Sequence, residues 1–495
     1  MTHLPVIIII APLLTSLLVI LAGFINKKLT HPLTVVGLGI SLCASLGVLC
    51  TVLHKGPISY GLAGWKPTVG IEYAVDHLNA MVLLVITLVG FLTAIYAKKS
   101  VEKELPSSQT SYYSLFLLQV TGLAGMTITG DAFNLYVLLE IAALSGYALI
   151  ALGKGRAYLA TFNYLIMGSI GASLYLLGVG YLLIKTGTLN MAGISAQLHL
   201  LQSSQAVMVA FSLIIVGVLA KMAFFPMHSW LPNAYTNAPT ATSCLMAPLS
   251  TKVGVYILLR MMFTVFSADY VFNVVNWQPV MMGLSVIAIV AGSLYALTQT
   301  NLKRMLTYLV IAEVGYMVGG AWLGNKLGLS GAIYHIAADA LMTLCLFMAV
   351  GNIIYKTGNG DFKSIKGAFR KMPLTMVGFL IGAFSMIGIP PTAGFFSKWY
   401  LLSGALEASH YGFFAALIFS SLVNAVLFFR LIEIGFFESL PSEEPHHSHH
   451  EEGIQEAPLS MVLPLLVVAG CVLWMGLSTN TIMTNLIQHA IPGGL

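Results

Sequence analysis

Charged side chains are scarce in this sequence. Asp, Glu, Lys and Arg make up 8% of the 495 residues, whereas 58% are hydrophobic, and the mean hydropathy is +0.88. Soluble globular domains carry about 25% charged residues, so this composition excludes a water-soluble enzyme or binding domain. The sequence predicts an integral membrane protein that has nearly all of its chain in the membrane and no separate soluble domain.

Paired cysteines and nucleotide-binding motifs are also missing. The five cysteines lie inside apolar runs without the spacing of a disulfide framework or a zinc site. The chain contains no P-loop, no Rossmann fingerprint and no nucleophile constellation. A membrane cytochrome is excluded because haem b needs facing ligands, and His335 is the only histidine clearly in the middle of an apolar run. We therefore expect no cofactor and no bound metal ion.

Long apolar runs are abundant. A transmembrane helix needs about 20 apolar residues, and runs of this length recur about fourteen times. The first run is too long for a removed signal peptide, so we expect a retained helix and an all-α polytopic fold. The predicted spans are 5–24, 33–53, 75–97, 111–129, 132–152, 157–184, 206–230, 240–262, 278–299, 303–323, 330–355, 374–405, 410–433 and 460–482.

Positive charge is distributed unevenly between the loops. With the N-terminus outside, and with residues at span ends counted with the adjoining loop, 15 of the 23 Lys and Arg residues fall on the inner side and 5 on the outer side, and the remaining three lie well inside spans. Cytoplasmic loops are the ones enriched in Lys and Arg. The sequence therefore predicts a multi-pass protein of the cell membrane with both termini on the extracytoplasmic side.

Seven ionisable residues lie near the middle of predicted spans. Inserting a charged side chain at such a depth in the membrane costs about 2.5–3.5 kcal/mol, so the presence of seven needs an explanation. One interpretation is a set of ion pairs that fix helix packing. The other is a proton or ion path, because burial and pairing move a side chain between its charged and neutral forms. These residues are Glu140, Lys221, Lys252, Glu313, His335, Asp339 and Lys398.

The charges repeat along the chain. Glu140 and Glu313 each lie about ten residues into a span, and each is followed two spans later by a lysine, Lys221 or Lys398. Both lysine-bearing spans, the seventh and the twelfth, contain prolines, as in "MIGIPPTAGFFSK". Five spans, an odd number, separate the copies, so the second copy must be inverted in the membrane. Inverted repeats with broken helices are typical of ion-coupled transporters.

Several motifs resemble the antiporter-like subunits shared by multisubunit Mrp-type cation/proton antiporters, membrane-bound hydrogenases and respiratory complex I. The resemblance covers spans three to fourteen, and "TGTLNM" together with the chain length is most similar to the D-type subunits of Mrp antiporters. The motifs are "GDAFNLYVLLEIAALSGYALIALG", "LAKMAFFPMHSWLPNAYTNAPT", "APLSTKVGVYILLR", "NLKRMLTYLVIAEVGY" and "PPTAGFFSKWYLLSGAL".

The resemblance implies a fold and a site. It implies fourteen helices, with N-terminal helices over 1–110, one five-helix repeat over 111–262 and an inverted one over 278–433. A His/Glu-rich loop follows over 434–459, and a last helix lies within 460–495. It also implies that protons move along five residues; Glu313 and Asp339, which the resemblance does not cover, are auxiliary candidates because they too lie near the middle of spans. The five are Glu140, Lys221, Lys252, His335 and Lys398.

The eleventh span departs from the family pattern. Relatives commonly place histidine, histidine and lysine at four-residue spacing, whereas "HIAADALMT" places His335, Asp339 and Thr343 there. This spacing keeps the three side chains on one helix face, so we expect Asp339 to pair with His335 or with a neighbouring lysine. Glu313 is a second departure, because relatives often carry glutamine there.

These features favour a proton-translocating subunit of a multisubunit cation/proton antiporter, with sodium as the expected cation and other membrane subunits as partners. The alternative is a proton-pumping subunit of a redox-driven complex. A free-standing solute carrier is disfavoured, because the arginines all fall in loops or at span ends.

The histidines of "PHHSHHEEG" are expected to lie in a solvated loop, and Asp76, His77 and His228 at helix ends or path openings. We expect Asp131 to cap the fifth span.

Overall fold

The structure is a computed structural model that describes residues 3–67, 69–437 and 454–492. The described residues are mostly helical, with one small antiparallel pair of strands that joins Ile58 to Val75 and Gly61 to Glu72. The first part of the chain consists of α1 (Leu4–Ile25), α2 (Thr30–Lys55), β1 (Ile58–Gly61), β2 (Glu72–Val75), α3 (His77–Glu104), α4 (Gln109–Ile128), α5 (Ala132–Ala151) and α6 (Ala157–Thr186).

The remaining helices include four that are shorter than a membrane span and come in two consecutive pairs, α8 with α9 and α15 with α16. The helices are α7 (Met191–Leu198), α8 (Gln205–Lys221), α9 (Trp230–Asn237), α10 (Thr240–Leu259), α11 (Gln278–Leu297), α12 (Leu302–Trp322), α13 (Lys326–Thr357), α14 (Ala368–Lys371), α15 (Pro373–Ile387), α16 (Ala393–Glu407), α17 (Tyr411–Phe437), α18 (Leu459–Leu477), α19 (Thr479–Ile482) and α20 (Gln488–Ala490). Short 3₁₀ or π-helical turns occupy Lys27–Leu29, Leu62–Gly64, Arg260–Val265, Tyr270–Val275, Phe362–Ile365 and Met483–Ile487.

Eleven helical segments of the described chain are long and apolar enough to cross a membrane. The other three predicted spans coincide with α4, with α8 and the break that follows it, and with the pair α15 and α16, whereas α9 begins only at residue 230, the predicted end of the seventh span. The all-α polytopic fold is therefore confirmed. The total of fourteen spans, the inverted repeat and the domain bounds stay predictions.

The two predicted helix breaks are present. Helix α8 ends at Lys221, and α9 begins at Trp230, with Pro226 between them. Helix α15 is followed by Gly388, which has a φ of +95°, and Pro390 and Pro391 precede α16. Proline lacks the N–H that an α-helix interior needs, which accounts for both interruptions. Pro232 does not break its helix, because it lies in the first turn of α9, where a missing N–H costs nothing.

The most buried helices are central in the chain. The apolar stretch of α13 is 100% buried and those of α10 and α12 are 94% buried, whereas that of α1 is 33% buried. Helix α13 packs against α3, α10, α12, α15, α16 and α18. Five of the seven ionisable residues predicted from the sequence lie on α10, α12, α13 or α16, inside this packed centre.

Candidate functional site

Glu140 and Lys221 form the first charged pair. Lys221 is the last residue of α8, and its Nζ lies 3.7 Å from Oε1 of Glu140 on α5. Neither of these two atoms has a hydrogen-bond partner among the described residues. The pair is thus held by charge attraction and not by a direct hydrogen bond.

A small cavity adjoins Lys221. It has a volume of about 40 Å³, and the lining residues with polar side-chain groups are Gln119, Tyr164, Lys221 and Ser250. The Ser250 hydroxyl has no hydrogen-bond partner in the described part of the protein. A cavity of this size and polarity can hold ordered water, since one water needs about 10–15 Å³ and two or more polar partners. Ser250 and Gly254, four residues apart on one face of α10, line this cavity, whereas Lys252 does not.

Lys252 and Asp339 form the second pair, between α10 and α13. The Lys252 Nζ lies 2.8 Å from the Asp339 Oδ2, and the two side chains are 2% and 0% exposed. Thr343 donates a hydrogen bond to the other Asp339 oxygen at 2.7 Å, and Lys252 donates one to the Ala247 carbonyl at 3.2 Å. Of the two partners expected for Asp339, the structure contains the lysine.

His335 joins Glu313 on α12 to Ser397 on α16. Its Nδ1 lies 2.8 Å from the Ser397 Oγ, and Ser397 donates its only hydroxyl hydrogen to the Gly394 carbonyl at 2.9 Å. Ser397 must therefore accept, so Nδ1 of His335 carries a hydrogen. The His335 Nε2 then lies 2.6 Å from the Glu313 Oε2, with one proton between the two atoms.

Lys398 is held by the second helix break. Its Nζ donates to the Met386 carbonyl at 2.6 Å, with Ile387 O at 3.4 Å and Ser421 Oγ at 3.3 Å. It also lies 5.2 Å from the centre of the Tyr316 ring. The carbonyls belong to the last turn of α15, where backbone acceptors lack intrahelical donors and the helix dipole is negative. The break therefore creates the acceptor site for this ammonium group.

The expected correspondence between the two glutamate and lysine pairs holds only for the first pair. Glu140 contacts Lys221, but Glu313 bonds to His335, and Lys398 has no ion pair within the described residues. The reason is geometric, because the His335 imidazole lies between α12 and α16 and takes up the Glu313 carboxylate.

Two cations that lie at the ends of predicted spans, and that the charge count places with the loops, are buried. Arg260 is 8% exposed and forms a bidentate ion pair with Asp76, with Nη1 2.6 Å from Oδ2 and Nη2 3.1 Å from Oδ1. Its Nε donates to the Tyr256 hydroxyl. Asp76 also caps α3 by accepting from the backbone N–H groups of Leu78 and Asn79, as a helix-end residue was expected to do. The sequence does not single out Arg260 because it lies two residues from the end of the predicted span 240–262, whereas the helix continues to Val265 as a π-turn.

Lys303 is the second such cation. It is 6% exposed, and its Nζ donates to the Ala238 carbonyl, which ends α9, at 2.7 Å. On the other side of the same turn, Glu104 accepts from the Thr240 N–H at the start of α10. The signal in the sequence was Asn301, which caps α12 and so places Lys303 in its first turn. Asp131 caps α5 through the Asn134 N–H, as expected.

Within the described residues, the histidines that the sequence offered as weaker candidates form no ion pair with the buried ionisable residues described above. The histidines of the polar loop, His446, His447, His449 and His450, lie outside the described residues. His228 lies in the first helix break, stacked on Phe225. No group of three or more metal-ligating side chains is found in the described ranges.

The chain is similar to membrane subunits of known complexes. Residues 129–424, which include all seven ionisable positions, match the family described as NADH:quinone oxidoreductase/Mrp antiporter, transmembrane. The chain is 40% identical over 507 aligned residues to the N-type subunit of the NADH-quinone oxidoreductase of Desulforudis audaxviator, covering 99% of each. It is 29% identical over 470 residues to the D-type subunit of the Na(+)/H(+) antiporter of Bacillus subtilis, covering 93% of each.

Solved structures have the same fold. A chain of the membrane-bound sulfane sulfur reductase, an archaeal respiratory membrane complex, is 30% identical with a TM-score of 0.89, over 99% of this chain and 97% of that one. A chain of the Mrp complex from Dietzia sp. DQ12-45-1b is 24% identical with a TM-score of 0.88, over 99% of this chain and 97% of that one. On the family match, the 40% identity and the shared fold, this chain belongs to the NADH:quinone oxidoreductase/Mrp antiporter transmembrane family.

Proposed function

We propose that this chain is the proton-translocating subunit of a multisubunit cation/proton antiporter, with sodium as the expected cation. The observation that carries the proposal is the set of buried titratable groups between the two helix breaks. Its ends are Lys221 at the first break and Lys398 at the second, and both lie at the C-terminal ends of half-helices or against them.

The first step takes place at Lys221. A proton enters through the broken helix formed by α8 and α9 and is held as the Lys221 ammonium while the Glu140 carboxylate is near. Opposite charge within a few ångströms favours the charged form of a lysine, and its withdrawal favours proton release. The separation of 3.7 Å, without a hydrogen bond, suits a contact that lengthens and shortens.

The proton then moves laterally through the packed centre. We infer that water in the polar cavity beside Lys221 and Ser250 carries the proton first, and that the Lys252–Asp339 pair is the next group to take it. Asp339 and His335 are four residues apart on α13, so both lie on one face of that helix. The His335–Glu313 hydrogen bond takes the proton next, and Lys398 passes it to the side opened by the break between α15 and α16.

We expect this chain to assemble with other membrane subunits. The relatives named above are subunits, and the solved structures are chains of complexes, which supports other membrane subunits as partners. We place the chain in the cell membrane with both termini on the extracytoplasmic side, because this orientation puts most loop Lys and Arg residues inside. The faces near Glu140 and Lys398 are where we expect neighbouring subunits.

A redox-driven proton pump is the second candidate. The 40% identity to an N-type subunit of NADH-quinone oxidoreductase, higher than the 29% to a D-type antiporter subunit, favours it. A free-standing solute carrier has less support, because its expected substrate-binding arginine is lacking: buried Arg260 is already paired with Asp76.

The deciding experiment is purification of the native complex through this chain, with its subunits identified by mass spectrometry and its activity measured in inverted vesicles. Dissipation of an imposed pH gradient on addition of Na⁺, without a reductant, supports the antiporter. Acidification of the vesicle interior that requires a reductant supports the redox pump. Absence of proton movement under both conditions, in an intact complex, contradicts both candidates.

A further inference from the structure

A pocket of about 210 Å³ opens where the start of α3 meets the C-terminal end of the described chain. It is formed by α3, the end of α10, the start of α13 and α20, and it lies at the opposite end of α13 from Thr357. Its polar lining consists of Asp76, His77, Arg260, Thr264 and His489. None of the proposed proton steps uses this pocket.

His77 and His489 are next to each other in this pocket. Their ring centres are 5.1 Å apart, and their ring planes are tilted by 31°. In the part of the chain that the structure describes, no hydrogen bond involves either imidazole. Both rings therefore have a nitrogen lone pair free for a ligand when they are neutral.

The neighbouring charges are already paired. Both Asp76 oxygens contact Arg260, and one of them also caps α3, so this carboxylate is committed. The Arg260 charge is balanced by Asp76 in turn, so the pocket does not repel a cation through an unpaired guanidinium group. Two imidazoles remain as the donors open to a ligand.

The spacing of the rings fits a shared metal ion. Zn–N bonds are about 2.0–2.1 Å, and the centre of an imidazole lies about 1.1 Å beyond its nitrogen, so two rings on one tetrahedral ion have centres about 5.2 Å apart. The observed separation is 5.1 Å. We propose that His77 and His489 bind a divalent transition-metal ion of the Zn²⁺ class, with water completing its coordination.

Such an ion would connect two distant parts of the chain. His77 begins α3, and His489 lies in α20. The metal ion would therefore link the C-terminal end of the described chain to the N-terminal end of α3. The pocket also contains Ile333, two residues before His335, so a bound ion covers the end of α13 that leads to the buried histidine. Bound metal is therefore expected to order the C-terminal segment.

The test measures Zn²⁺ binding directly, without transport. The purified full-length protein, free of affinity tags, is dialysed to equilibrium against zinc chloride, and the bound metal is counted by elemental analysis. All proteins carry His446→Asn, His447→Asn, His449→Asn and His450→Asn, so that the clustered histidines of the polar loop contribute no zinc to the count. Parent, His77→Gln, His489→Gln and the double variant are compared. His54→Gln is the control, because His54 is an exposed histidine at the end of α2, outside the pocket.

We expect one Zn²⁺ per parent chain, an affinity at least about tenfold lower in each single variant, and loss of the site in the double variant, as for removed metal ligands. X-ray absorption should show two nitrogen ligands at about 2.0 Å together with oxygen ligands. Size-exclusion chromatography checks that the variants are folded. Absence of stoichiometric zinc in the parent overturns the proposal, and so does an equal affinity loss in the His54 variant. Neither outcome bears on the proton path.

Discussion

The Lys252 ammonium lies 2.8 Å from the Asp339 carboxylate in a part of the protein where neither side chain is more than 2% exposed. Each group is the other's only charged partner within salt-bridge distance among the described residues. A buried pair of this kind is costly to break at one end, because the remaining charge cannot be hydrated.

Replacing Asp339 with Asn should therefore impair both stability and transport. The amide keeps the volume but leaves the Lys252 charge without its partner, at a cost of about 3–5 kcal/mol for the charged state. Thr343→Ala is the matched control, because it removes only the hydrogen bond to the same carboxylate. Proton-coupled transport in inverted vesicles at matched expression compares the two. If Asp339→Asn transports like the parent, Asp339 is a packing residue and the path avoids this face of α13.

Lys221→Ala should abolish transport while the complex still assembles. An apolar side chain is easier to insert into the membrane but cannot hold a proton, and loss of a proton-transfer group lowers rates by about 100-fold or more. Subunit composition after purification and proton flux in vesicles are the two measurements. Full proton-coupled activity in the variant would contradict the role assigned to Lys221.

Glu140→Gln should move the alkaline limit of transport to lower pH. The carboxylate favours the protonated form of Lys221, so without it the ammonium group loses its proton at a lower pH. The sign follows from the pairing: activity that needs protonated Lys221 is retained at low pH and falls earlier as the pH rises. An unshifted rate profile between about pH 6 and pH 10 counts against the pairing.

Ser397→Ala should lower transport without abolishing it. The hydroxyl accepts from Nδ1 of His335 and so keeps Nε2 directed at Glu313. Without that acceptor the ring can take the other tautomer, and we expect roughly a tenfold slower proton transfer. Ser397→Thr retains the hydroxyl and should restore the rate and the pH profile together. Equal rates in Ser397→Ala and the parent would remove Ser397 from the mechanism.

Restoring the residues common among relatives, Asp339→His with Thr343→Lys, should not be neutral. The double change removes the partner of Lys252 and adds basic groups beside it, while Glu313 stays bonded to His335. Reduced transport and a lower melting temperature than the parent are expected. A fully active double variant would mean that the charges of α13 are interchangeable.

The fold and much of the site follow from the sequence because membrane helices are set by apolar length and proline position. The broken helices at Pro226 and at Pro390 could be predicted in this way, as could the shared face of His335 and Asp339. Which side chain reaches which neighbour could not. Whether Glu313 meets His335 or Lys398 depends on the packing of α12 against α13 and α16, which no periodicity encodes.

Buried Lys303 and Arg260 illustrate a second limit. Hydropathy assigns charged residues near span ends to loops, although both lie inside packed helical turns. Their partners are a backbone carbonyl at the end of α9 and the capping carboxylate of α3. Such contacts join residues that are 65 and 184 positions apart, so only the folded chain brings them together.

The surroundings of Lys398 are suited to both of its charge states. As an ammonium group it has three hydrogens for three neighbouring oxygens, the carbonyls of Met386 and Ile387 and the hydroxyl of Ser421. As a neutral amine it keeps two hydrogens for the carbonyls, and the Ser421 hydroxyl can rotate to donate to the nitrogen lone pair. Rotation of one hydroxyl group thus replaces the lost hydrogen bond. The carbonyls in the last turn of α15 keep Lys398 as their donor whether the lysine is protonated or neutral.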